Sequence, residues 1–133
     1  MATMVLTEEK IRQLQGVLEN QLLTIGVSLA ILIDEAGNVI VSSGNGTNVD
    51  TTSLAALAAA NFGATAQIAK LLGEEDFSIL YHKGKRDNIH FSKIGKEFIL
   101  VTIFGDETPL GLVRLRVSQV SQELLNLLAE DDF

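Results

Sequence analysis

The spacing of apolar and polar positions along this chain changes period several times, and each change marks an element. Thr7, Glu8 and Glu9 suit a helix start, because acids are favourable against the positive end of the helix dipole. Behind them Ile11, Leu14, Leu18, Leu22 and Ile25 form one apolar stripe, with Arg12, Gln13, Glu19 and Asn20 on the other side. Gly26 ends this helix. Residues 27–33 (VSLAILI) are almost continuously apolar, which predicts a strand covered on both faces. Residues 34–38 (DEAGN) read as a turn into a second strand, VIVSS, and the two make a hairpin.

Three further strands are predicted in quick succession after a long middle helix. Residues 77–82 (FSILYH) alternate, with Phe77, Ile79 and Tyr81 on one face. The turn KGKRD leads to residues 88–94, and Gly95-Lys96 leads to residues 98–104 (FILVTIF). That last run is nearly all apolar and belongs at the centre of the sheet, beside the first strand. Pro109 suits the first turn of a final helix, in which Leu110, Val113, Val117, Val120, Leu124, Leu127 and Leu128 repeat at helical spacing. Short turns make the strands antiparallel neighbours. The expected fold is therefore α+β, in the order α-β-β-α-β-β-β-α, with helices on both faces of a five-stranded antiparallel sheet. Residues 1–133 show no repeat or linker and read as a single domain.

The middle helix, within residues 50–76, departs from the ordinary pattern. Asp50 or a following hydroxyl residue can cap its start, and Gly73 follows its end. Leu54, Leu57, Asn61, Ala64, Ile68, Leu71 and Leu72 gather on one side, which is expected to pack on the core. The opposite side should be charged, yet it reads Ala55, Ala59, Phe62, Gly63 and Ala66, with Gln67 and Lys70 at its rim. A helix that is apolar all round is normally covered on both sides. The small-residue side is therefore expected to be a protein–protein contact, with alanines and glycine letting another surface approach closely.

Composition narrows the function classes. A hydrophobic content of 47% with 20% charged residues suits a folded globule, and 133 residues can bury one core. With no Cys, disulfides, thiolate nucleophiles and cysteine-ligated metals are excluded, which fits a cytoplasmic protein. The first ten residues lack the pattern of a secretory leader, and no apolar run approaches the ~18 residues of a membrane span, so no membrane insertion is expected. A net charge of −7 repels phosphates and acidic lipids and argues against nucleic-acid binding. The local exception is Lys83, Lys85 and Arg86 at a hairpin tip.

Candidate chemistry is sparse. The Gly-Asn-Gly of residues 44–46 precedes a helix but lacks the Lys-Ser/Thr pair of a phosphate-binding loop. His82 and His90 lie on neighbouring strands and could approach across the hairpin, but no third ligand accompanies them, and they read as solvent-facing strand histidines. Asp34 and Glu35, adjacent in a turn, point apart and are explained by turn chemistry. No catalytic residue, cofactor site or metal site is expected, and the middle helix remains the feature in need of a function.

Several stretches together resemble the Roadblock/dynein light chain family, in its bacterial MglB branch. They are VSLAILIDEAGNVI, TSLAALAAANFGATAQIAKLLGEEDF, YHKGKRDNIHFSKIG and FILVTIFGDETPLGLVRL, covering essentially the whole chain. The resemblance implies a homodimer in which the strand Phe77, Ser78, Ile79, Leu80, Tyr81, His82 pairs with its copy, joining two sheets into one. It implies that the two middle helices lie side by side as a platform for a small Ras-like GTPase of the MglA type. MglB-like proteins activate GTP hydrolysis by reorganising the GTPase's own residues, without an arginine finger and without a catalytic site of their own. Carried over, the contact surface is Ala55, Ala59, Phe62, Gly63, Ala66, Gln67 and Lys70. A structural adaptor using the same dimer, or a small-molecule sensor at the SGNGTN loop or the histidine hairpin, are the alternatives.

Overall fold

Thr7 starts the first helix by accepting a hydrogen bond on its hydroxyl from the Lys10 amide at 3.0 Å, and α1 runs over Glu8–Gln21. A short 3-10 turn, Leu23–Ile25, follows and ends at Gly26 in the left-handed region. The computed structural model describes residues 6–44, 48–75 and 79–129. The remaining elements are β1 (Val27–Asp34), β2 (Val39–Ser43), α2 (Thr51–Leu72), β3 (Ile79–Lys83), β4 (Asp87–Ile94), β5 (Phe98–Gly105) and α3 (Leu110–Ala129). The order α-β-β-α-β-β-β-α is the one that the periodicities predict.

All strand pairs are antiparallel, and the spatial order is β2-β1-β5-β4-β3. The two most apolar strands, β1 and β5, therefore lie side by side at the centre. Their continuous apolar character follows from burial on both faces. Ala30, Leu32, Leu100 and Phe104 point into a core shared with α1 and α3, through Leu14, Leu18, Leu22, Val113, Val117, Val120 and Leu124. Leu29, Ile31, Ile33, Ile99, Val101 and Ile103 point the other way, towards α2. Arg116 ties the α1–α3 layer together by donating to the carbonyl of Gln21 at 3.0 Å.

Among the described residues α2 is the helix that covers the second face, and the structure reverses the expected orientation of this helix. Ala55, Ala58, Phe62, Thr65 and Ala69 are the buried positions. Leu57, Ala64, Ile68, Leu71 and Leu72, expected on the core, are exposed, and of that set Leu54 and Asn61 are half-buried. The physical reason is closeness of approach. Small side chains let the helix backbone come down onto the sheet, so near that a Cβ on Gly37, in the β1–β2 turn at φ 90°, would lie 3.1 Å from Cα of Ala56. One large residue, Phe62, anchors the contact with its ring edge-on to Phe91, centroids 6.2 Å apart at 74°. Full burial of such a ring contributes about 2–3 kcal/mol, and leucines at the neighbouring positions would hold the helix off.

Candidate functional site

Asp50 and Gly73 set where α2 begins and ends. The Asp50 carboxylate accepts from the amides of Thr52 and Ser53 at 3.1 and 3.4 Å, and from the Ser53 hydroxyl at 2.8 Å. These bonds, the Ser53 hydroxyl first, stabilise the carboxylate and hold its pKa below the ordinary carboxylate range. At the other end Gly73, left-handed at φ 80°, brings the Glu74 amide to the Ala69 carbonyl at 2.9 Å. The helix is thus fixed at both ends while its outer side faces away from the sheet.

That outer side carries four large apolar residues: Leu57 is 69% exposed, Ile68 52%, Leu71 87% and Leu72 67%. At about 100° per residue they lie within one sector about 100° wide, with Ile68 about 20° from Leu57 and Leu71 and Leu72 at its two edges. The same chain exposes Ile79 on β3. β3 bonds to β4 along one side, with Ile79 opposite Ser92 and Lys83 opposite Asn88. As the last strand in the order, it leaves its other side unpaired among the described residues.

Along the flank of α2 runs a groove of about 420 Å³. Ala59, Phe62, Gly63, Ala66, Gln67 and Lys70 form its helix wall, so six residues of the sequence-derived contact set do come together. Ile99, Lys93, Glu35 and Glu75 complete it, with Lys93 bridging to Glu35 at 3.2 Å. The seventh, Ala55, is fully buried against the sheet and cannot meet a partner. Phe62, also expected on the outside, is buried in the core and reaches the groove as part of its lining. Sequence reading missed Leu57, Ile68, Leu71 and Leu72 as surface residues. The available signal was size: the bulkier of two apolar helix faces is the one a closely packed sheet rejects.

The edge strand is placed in part. Ile79, Leu80, Tyr81 and His82 lie in β3, while Phe77 and Ser78 fall outside the described residues. Asn45, Gly46 and Thr47 of the SGNGTN loop fall outside them too. The two histidines do not share a site. Tyr81 pairs with His90 and His82 with Ile89, so the two rings point to opposite faces. His82 is exposed, its ring edge-on to Phe91 at 5.7 Å. His90, expected to face solvent, is instead buried beside the α1–α3 layer at 1% exposure. The basic hairpin tip is partly neutralised, because Lys83 bridges to Asp106 at 2.9 Å with both groups largely exposed.

Residues 14–104 match the family model of the Roadblock/LC7 domain. The chain belongs to the Roadblock/LC7 family. Its solved structural neighbours place it in the MglB branch. It is 36% identical to Myxococcus xanthus MglB, covering 95% of each chain at a TM-score of 0.87. The gliding protein MglB from Thermus thermophilus shows 32% identity over 98% of each chain, with a TM-score of 0.88. A third structure, of MglB in a tetrameric arrangement, shows 30% identity over 98% of each chain and a TM-score of 0.90. Against curated protein sequences the chain has no match. Among the described residues, no helix of this Roadblock domain is long and apolar enough to cross a membrane.

Proposed function

We propose that this Roadblock protein is a cytoplasmic homodimer that activates GTP hydrolysis by a small Ras-like GTPase of the MglA type. The observation that carries the reading is the apolar ridge Leu57, Ile68, Leu71 and Leu72 on the outer side of α2, together with a β3 edge that is unpaired among the described residues. Four such side chains left in water are unfavourable, and a second copy covers them if two α2 helices lie together while β3 pairs with β3. One ten-stranded sheet then carries two grooves, one on the flank of each α2. Each groove presents Ala59, Gly63, Ala66, Gln67 and Lys70 to the GTPase.

The chemistry of activation is left to the partner. Among the described residues no arginine lines the groove, which supports activation by contact in place of an inserted guanidinium. A smooth wall of small residues suits a role that favours one arrangement of the GTPase's mobile loops over another. Addition of the protein to an MglA-type GTPase loaded with GTP is expected to accelerate phosphate release many-fold. Gly63→Arg and Ala66→Arg are expected to leave the dimer intact and abolish binding, since a Cβ at Gly63 meets open space but a long charged chain blocks close approach. Normal binding by both variants would refute the surface. Binding without acceleration would identify an adaptor instead.

A further inference from the structure

The face of β4 turned to α3 is unlike the rest of the core. On the α2 side this strand offers Ile89 and Phe91, whereas towards α3 it offers Asn88, His90 and Ser92, all buried. Thr102 of β5, opposite His90 in the register, extends the polar row and is also buried. Four side-chain atoms in or beside this seam have no hydrogen-bond partner among the described residues: Asn88 Oδ1, both ring nitrogens of His90, and Ser121 Oγ on α3. Each such atom costs about 1–3 kcal/mol if left dry. A row this costly is not needed to close a core, since the α2 side closes almost wholly with apolar residues, and the buried Thr65 of the helix donates its hydroxyl to the Asn61 carbonyl at 2.8 Å.

We propose that the α3–β4 seam is an acid-sensitive latch, in which neutral His90 lets α3 dock on the sheet and protonated His90 releases it. This inference is independent of any partner. The groups around the ring favour the neutral form. From α3 comes the positive field of Arg114. β3 presents Tyr81 in register, and β5 presents Thr102, whose hydroxyl donates to the His90 carbonyl at 3.4 Å. On β4 itself the neighbours are the neutral Asn88 and Ser92. The nearby carboxylate, Asp106, is engaged by Lys83 and by the Asn88 amide at 2.9 and 3.0 Å. Nothing among these compensates an imidazolium charge.

Burial, and then Arg114, push the ionisation of His90 down from 6.5 to about 4. A released α3 restores the ordinary value to the ring. The released form therefore takes up the proton first as pH falls, and docking is fully favoured only above about pH 6.5. Relative to pH 7, the equilibrium for opening rises about 8-fold at pH 5.5 and about 60-fold at pH 4.5.

Amide hydrogen exchange of the full chain, followed by mass spectrometry and corrected for intrinsic rates, tests this directly. Peptides of α3 are expected to lose about 60-fold protection between pH 7 and 4.5, while those of β1 and β5 keep theirs. His90→Gln and His90→Leu are expected to make α3 protection independent of pH over that range. Unchanged α3 protection in the unsubstituted protein overturns the latch, whether or not either variant folds. Equal acid loss in the protein and a folded variant also overturns it, by assigning the effect to carboxylates.

Discussion

Leu71→Asp separates the fold of this protein from its assembly. Leu71 is 87% exposed on the outer side of α2, so the substitution should cost the isolated chain only about 1 kcal/mol, from lower helix propensity and an acid near the negative end of the helix dipole. Burial of a leucine side chain is worth about 2 kcal/mol. A two-fold contact uses the residue twice, so the dimer loses about 4 kcal/mol, which raises its dissociation constant about a thousand-fold. The desolvation of two aspartates adds to this. Sedimentation equilibrium over a concentration series reads the constant, and far-ultraviolet circular dichroism checks that the monomer remains folded. A dissociation constant within about threefold of the original would refute the proposed helix pairing. Loss of the fold itself would show instead that Leu71 belongs to the core and that the burial pattern is wrong.

Other perturbations test the packing beneath that surface. Phe62→Ala should destabilise the fold by about 3–5 kcal/mol, because it empties the anchor between α2 and Phe91; a loss of unfolding free energy in denaturant titration below about 1 kcal/mol would contradict the placement of α2. Gly44→Ala should also lower the thermal midpoint, since Gly44 lies at φ 116° and an added Cβ would fall 2.2 Å from the Ser28 carbonyl oxygen. An unchanged midpoint would show that the strand end can shift.

Much of the architecture is legible in local pattern. Thr7, Asp50 and Gly73 mark helix ends by their own hydrogen-bonding and backbone chemistry, and each does so in the structure. The pairing of β1 with β5 at the centre follows from two runs too apolar for any edge. The reading fails where two answers have the same period. α2 is apolar on both sides, so its repeat says that it is helical and not which side turns inward.

His90 fails in a related way. In Asn88-Ile89-His90-Phe91-Ser92 the alternation locates two faces correctly, but the polar one is expected outside and is buried. Only the placement of α3 over β4 decides that, and it creates a buried polar seam that composition does not reveal. Groove residues such as Ala66, Lys93, Ile99 and Glu35 come from three separate elements and a turn, and no spacing in the chain joins them. The sequence alone determined the order of elements and the family, because these depend on neighbours along the chain; the end expected for α1 at Gly26 differs, because the chain leaves the α-helix after Gln21 and tightens into a 3-10 turn. Which face of α2 is free, and that a histidine lies under α3, depended on how closely one layer can approach another, a distance set only when the layers meet.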